Sequence, residues 1–320
     1  MKIISGEIIE SAAQPHHWID AMEVALQTFN DADYKTPDRM HVHMDDNTLL
    51  VMPSVGPDLF STKLVSIFPA NADRELPAIQ GSLILNDGAT GETLALFNGA
   101  KLTAMRTAAV ACVGIRHLSD PMAQYLGVIG AGVQGQHLAW MASHERDLER
   151  VYFYDPSHQK VMEFMQFMHQ HCPDVEVAPC EDEQQVITNS EIVCTATTSK
   201  LPVLPNLEDL LLGKTFVSVG SYKPEMREIS ESVYRLIDTV WIDAEQAKLE
   251  SGDLIHPIEN EWIKPEQIKH ISTLIQQPNE LGFKETRLFK SVGHGVFDLF
   301  AAKLIYQMAE EKGLGTDIAL

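Results

Sequence analysis

Apolar positions along this chain change their spacing as it proceeds. Between Pro15 and Phe29 they recur at helical intervals (Trp18, Ile19, Met22, Ala25, Leu26, Phe29), which predicts an amphipathic helix. Four short apolar runs follow, at residues 48–53, 63–69, 81–86 and 93–97, and each reads as a strand. Asp87-Gly88-Ala89-Thr90-Gly91 between the last two is a hairpin signal, so this part reads as an α+β domain with a largely antiparallel sheet. Residues 102–118 are alanine-rich with only Gly114 as a breaker, which predicts a buried linking helix.

The pattern then becomes a regular alternation. Short apolar strands are expected at 125–129, 151–154, 175–177, 191–196, 216–220 and 240–243, with helices between them, including one at 157–170. Strand and helix in that order predict a parallel, doubly wound sheet. Residues 296–310 form a last amphipathic helix beyond the final strand, expected to pack back on the first domain. The fold class is therefore α/β, a Rossmann-type doubly wound parallel sheet domain plus an α+β domain. The boundaries read as 1–118 with 296–320 for the α+β part and 119–295 for the Rossmann part.

Composition narrows the partners. The 320 residues carry a formal net charge of −21, which argues against nucleic acid or an anionic membrane as the main partner. It does not exclude a small anion, since a few buried cations can set a local field opposite to the global one. Cys112, Cys172, Cys180 and Cys194 show no CxxC pairing or metal-ligand spacing and read as reduced thiols, so a cytoplasmic location is expected. No apolar h-region follows Met1, and no run approaches the roughly 20 residues of a membrane span. His41, His43, Asp45 and Asp46 fit no metal-site spacing and read as a solvated loop; no metal is expected.

Gly130-x-Gly132-x-x-Gly135 lies where an apolar strand meets the start of a helix. The first glycine makes the turn, the second admits a pyrophosphate to the backbone, and the third lets the helix pack on the strand. Asp155 ends the next strand about 20 residues later, where a carboxylate meets the adenosine ribose hydroxyls. A dinucleotide site follows. Asp155 favours NAD(H), while nearby His158 and Lys160 leave NADP(H) as the alternative.

Ligands of such sheets lie at the carboxyl ends of the strands, so Thr195 to Ser199 and Gly220 to Lys223 are the stretches to inspect. Substrate groups are expected from the first domain, across the cleft. Arg39, Lys63 and Arg106 there sit in apolar or constrained settings. A buried arginine needs an anionic ligand or a distant carboxylate as partner, and spacing alone leaves both readings open.

These residues bring the chain close to a known family. It resembles the ornithine cyclodeaminase / μ-crystallin family, which includes Δ1-pyrroline-2-carboxylate reductases, ketimine reductases and archaeal-type alanine dehydrogenases. The resemblance runs nearly end to end, through Lys63-Leu64-Val65-Ser66-Ile67-Phe68-Pro69, Leu102-Thr103-Ala104-Met105-Arg106-Thr107-Ala108-Ala109, the glycine turn, Val219-Gly220-Ser221 and Phe289-Lys290-Ser291-Val292-Gly293. It implies a homodimer built through the first domain. It also implies a substrate carboxylate held by Arg39, Lys63 and Arg106, with Thr107, Val133, Gln134, Thr195 and Ser291 on the cofactor side.

Two departures from the family matter. Ornithine cyclodeaminases place an acid where this chain has Leu50, and a catalytic aspartate where it has Tyr222. Leucine cannot hold an ammonium and a neutral tyrosine offers no charge to pair with one. Reduction of a preformed cyclic imine needs neither acid. The expected reaction is NAD(P)H-dependent reduction of Δ1-pyrroline-2-carboxylate to L-proline, or of the six-membered analogue to L-pipecolate. Lys63 is the first candidate proton donor, with water or Tyr222 behind it. His294, where the family carries an apolar residue, could face the substrate, and Asp298 reads as a cap or an ion-pair partner. The alternatives are ornithine cyclodeamination or alanine dehydrogenation on the same scaffold, or a non-catalytic binding protein of the μ-crystallin kind.

Overall fold

A computed structural model describes residues 1–74, 76, 77, 79–277, 282 and 284–319. The chain forms two units, one of Met1–Arg106 with His294–Leu320 and one of Thr107–Gly293. The division falls inside the Gly99–Leu118 helix, earlier than residue 118. Alternation in the sequence marks where elements begin and end, whereas the division follows packing, which separates the two halves of one continuous helix.

In the first unit the strands are β1 (Lys2–Ile4), β2 (Met40–Met44), β3 (Asn47–Val55), β4 (Leu59–Ile67), β5 (Ile79–Asp87) and β6 (Thr93–Asn98). The sheet order is Thr316–Asp317, β1, β6, β5, β4, β3, β2. Only β1 and β6 run parallel; the other pairs are antiparallel. Alternate residues of the long strands share a face, so Leu50, Met52 and Ser54 of β3 lie beside Val65, Lys63 and Ser61 of β4. The β5–β6 turn is fastened by Asp87, whose Oδ1 accepts from the amides of Ala89 and Thr90.

The Pro15–Gln27 helix starts at a proline and buries Trp18, Ile19, Met22, Ala25 and Leu26. Phe29 lies outside it, in a 3-10 turn at Thr28–Asn30, because the Thr28 hydroxyl donates to Ala25 O and tightens the end. The Gly295–Lys312 helix packs on the Pro15–Gln27 helix and on β3 and β4, burying Val296, Phe297, Leu299 and Ile305. Each such side chain removed from water contributes about 1.5–3 kcal/mol. His41 and His43 belong to β2, an edge strand, and not to a loop.

The second unit holds β7 (Tyr125–Ile129), β8 (Arg150–Tyr154), β9 (Glu176–Pro179), β10 (Ile192–Thr195), β11 (Thr215–Ser218), β12 (Val240–Ile242), β13 (Ile268–His270) and β14 (Arg287–Lys290). Their order is β13-β12-β14-β11-β10-β7-β8-β9, and every pair is parallel. Order reverses between β7 and β10, so the ligand crevice of a doubly wound sheet falls at the ends of those two strands. Gly130 and Thr195 stand there.

Candidate functional site

The first unit gathers charge where the sequence has very little. Lys63 points from β4 between its cross-strand neighbours Met52 and Leu83, all three buried. Arg106, three residues after Thr103 and so on the same face of its helix, is 5 % exposed. Asp298, in the first turn of the Gly295–Lys312 helix, meets both: Oδ2 lies 2.7 Å from Lys63 Nζ, and Oδ1 accepts from Arg106 Nε at 3.0 Å. The Thr103 hydroxyl donates to Gly99 O and sits 3.4 Å from Lys63 Nζ.

Electrostatics follow from this packing. Burial lowers the Lys63 ammonium from its ordinary value to about 8; Asp298 pulls it up, and Arg106 and Arg39 push it down again. Burial alone would raise the Asp298 carboxyl, but Lys63 and Arg106 outweigh that and hold it below its usual range. Helix N-termini favour a carboxylate as well. Arg39, half-buried in the segment before β2, is thus close enough to Lys63 to be felt. Of the two readings of Arg106 the structure shows the distant carboxylate partner, Asp298, which Arg106 shares with Lys63. His294 caps the Gly295–Lys312 helix through its backbone, its ring edge-on to Phe297 at 6.2 Å.

The second unit holds the glycine turn. Gly130 has φ +101, and a Cβ there would stand 2.7 Å from Ala196 O. A Cβ on Gly135 would collide with Gly130 O, whereas one on Gly132 would meet nothing within 4 Å. The space over Gly132, at the start of the Val133–Glu145 helix, is therefore open, as a pyrophosphate requires. Asp155 braces the turn: it accepts from Ala131 N at 3.0 Å and from Ser157 N at 2.9 Å, with Lys160 Nζ 3.7 Å away. Two polar atoms nearby in sequence to these strand ends, Gln134 Oε1 and Thr195 Oγ1, are buried without a hydrogen-bond partner. Such orphans are rare unless a ligand supplies the bond. The donor set, the open glycine and the orphaned atoms fit a dinucleotide. Thr107 is half-buried on its helix.

Residues that sequence reasoning passed over set the strand-end loops. Glu228, fully buried, accepts from Thr197 N, the Thr197 hydroxyl, the Ser218 hydroxyl and Gly220 N, at 2.7–2.9 Å. Asp253 in turn accepts from the amides of Glu228 and Ile229 and lies 3.3 Å from Lys290 Nζ. Asp243 accepts from the Ser291 hydroxyl, Val292 N and Gly293 N. The Ser291 hydroxyl is thus already committed. Nothing local in the sequence distinguishes these three acids from surface ones. Tyr222 follows the fastened Ser221; burial raises its phenol above the ordinary value, and Lys223 Nζ lies 5.9 Å from its ring centre.

A chain with a doubly wound nucleotide unit and an α+β unit that buries a cationic cluster has the makings of an oxidoreductase, and its family can be given. The model of the Ornithine cyclodeaminase/mu-crystallin family matches residues 3–313, and the chain belongs to that family. Within it, the chain is 30% identical over 326 residues to the Delta(1)-pyrroline-2-carboxylate reductase of Bacillus cereus (strain ATCC 10987 / NRS 248), covering 99% of each. It is 29% identical over 296 residues to the ketimine reductase mu-crystallin of Mus musculus, covering 90% of each. The structure of Thermococcus litoralis Delta(1)-pyrroline-2-carboxylate reductase in complex with NADH and L-proline superposes with a TM-score of 0.92 at 29% identity, over 99% of this chain and 100% of that one.

Proposed function

We propose that this protein reduces a cyclic 2-imino acid, Δ1-pyrroline-2-carboxylate, to L-proline with NADH. The observation that carries this reading is the sharing of one carboxylate by two buried cations. Among the described residues Lys63 and Arg106 have only Asp298 as an ion-pair partner, so this buried cluster keeps a surplus of positive charge in a chain of net charge −21. A buried surplus of charge is costly until an anion joins it. Asp298 takes Arg106 by Nε, which leaves the edge formed by Nη1 and Nη2 for the substrate carboxylate. Arg39, whose charge is felt at Lys63, is the third candidate for that carboxylate. Beside Lys63 lie Met52 and Leu83, with Leu50 and Val65 paired next along β3 and β4, and these apolar side chains suit the methylene groups of a ring.

Lys63 serves as the proton donor. With its ammonium lowered to about 8, it stays protonated at neutral pH yet releases its proton readily. It protonates the ring nitrogen, which makes the imine carbon electrophilic, and the C=N electron pair ends on that nitrogen in the product amine. A bound reduced nicotinamide supplies the hydride. Gly132 and the start of the Val133–Glu145 helix would receive its pyrophosphate and Asp155 its adenosine ribose. Tyr222 and His294 remain as candidates for the substrate side, and Thr107, Gln134, Thr195 and Ser291 for the nucleotide side.

A homodimer formed through the first unit is part of this reading, supported by the apolar side chains that edge strand β2 leaves exposed, Met40, Val42 and Met44. Four free cysteines accord with a cytoplasmic location. No helix among the described residues is long and apolar enough to cross a membrane.

Loss of nicotinamide absorbance with synthetic Δ1-pyrroline-2-carboxylate, run with NADH and NADPH in parallel, tests the activity. Turnover with NADH is expected; release of ammonia from ornithine together with proline would overturn it. Arg106→Ala should lower kcat/KM at least about 1,000-fold and leave NADH binding intact. Equal loss of both would remove Arg106 from the substrate side.

A further inference from the structure

Among the described residues of the first unit, Asp298 is the one group that touches both principal cations. Its two oxygens are divided between them, Oδ1 to Arg106 Nε and Oδ2 to Lys63 Nζ, and the carboxylate itself is 1 % exposed. Lys63 is faced by Arg106 and Thr103 from the Gly99–Leu118 helix, by Arg39 from the segment before β2, and by apolar Met52 and Leu83 across the strands. Among these groups every charge except Asp298 is positive and favours loss of the Lys63 proton.

We propose that Asp298 is the positioning residue of the anion site, fixing Arg106 through Nε and keeping Lys63 in its ammonium form. The inference rests on the imino acid reading above, in which Arg106 binds the carboxylate and Lys63 gives up the proton. Asp298 acts through these two residues and touches no reacting atom. Neutralising it removes the counter-charge from Lys63 and the tether from Arg106 together.

The test compares wild type with Asp298→Asn and Asp298→Glu by three readouts. The first is the titration of Lys63 Nζ, followed by 15N NMR in lysine-labelled protein and assigned by its disappearance in Lys63→Arg. The others are the pH profile of kcat/KM and the Kd for NADH from fluorescence. In Asp298→Asn the Lys63 midpoint should fall by about one pH unit or more and the alkaline limb of kcat/KM should fall with it. At pH 8, kcat/KM should drop at least about 100-fold, while the Kd for NADH stays within about threefold. Asp298→Glu, which keeps the charge, should restore most of the Lys63 midpoint. An unmoved midpoint, or kcat/KM within about threefold of wild type, overturns the proposal, as does joint loss of NADH binding and of the cooperative melt in both variants. If Asp298→Asn alone fails to fold, the glutamate variant decides: a wild-type midpoint with lowered kcat/KM supports positioning, and unchanged kinetics overturn it. Should the wild-type protein reduce no cyclic imine, the functional reading falls alone, and the Lys63 midpoint still decides the role of Asp298.

Discussion

The hydroxyl of Ser291 donates to Asp243 Oδ2 at 2.6 Å, and the same carboxylate accepts from the two amides that follow, Val292 N and Gly293 N. One acid therefore holds the whole turn that leaves β14, in which Gly293 has φ +78. Asp243→Ala removes all three of these hydrogen bonds at once, a cost of roughly 2–5 kcal/mol. Ser291→Ala removes one bond of three, about 1 kcal/mol, or a few degrees in Tm. Thermal melts of both variants check this. Loss of NADH affinity in Ser291→Ala without any loss of Tm would show instead that the hydroxyl belongs to the nucleotide.

Two glycines of the Gly130–Gly135 turn should fail in different ways. Gly135→Ala forces a methyl onto Gly130 O and should lower stability by several kcal/mol. Gly132→Ala meets no protein atom within 4 Å, so its melt should stay near that of wild type while NADH binding weakens at least about tenfold. Calorimetry and fluorescence titration separate the two, and unaltered NADH binding by Gly132→Ala would mean that the pyrophosphate lies elsewhere.

Proton supply and stability respond to pH in opposite senses. Lys63 titrates at about 8 in the folded protein against an ordinary 10.5, so below pH 8 both states carry its proton. Between those values the unfolded chain binds more protons, and this group makes folding more favourable as pH rises. The proton donor is lost over the same interval, so kcat/KM should fall about tenfold per pH unit above pH 8. Lys63→Arg should abolish that limb together with most of the activity. A profile flat to pH 10 would exclude Lys63 as the donor.

Coenzyme choice should turn on Asp155. Its oxygens brace Ala131 N and Ser157 N, and a 2′-phosphate would meet an already negative site. The wild-type protein should prefer NADH over NADPH by at least about tenfold in kcat/KM, and Asp155→Asn should narrow that ratio, with Lys160 then free to meet the phosphate. Preference for NADPH in the wild type would reverse the assignment.

The glycine turn, Asp155 and the alternation of the second unit were legible because spacing of a few residues encodes them. Five short strands were not, among them the two-residue Thr316–Asp317 strand. Residues 40–44 form an edge strand exposed on both faces, so burial imposes no pattern on them. Arg287 and Lys290 bound a four-residue strand that is buried throughout, and charged residues disguise it. β1 and β13 have only three residues each. Asp298 could be suspected as an ion-pair partner, but its partners lie on β4 and on the Gly99–Leu118 helix, and no local pattern encodes a contact of such long range. Glu228, Asp243 and Asp253 escaped for the same reason: they bind backbone amides of distant loops, and amides carry no sequence signature.

The place of β14 also constrains how the molecule can be made. It is the last strand of its sheet in sequence, yet it lies between β11 and β12. Until the ribosome has released Lys290, β11 presents an unpaired edge and β12 with β13 has no sheet to join. Early strands must wait, exposed to wrong partners, for a segment synthesised near the end. A nascent chain halted before Arg287 would therefore carry the complete glycine turn on a sheet that cannot close.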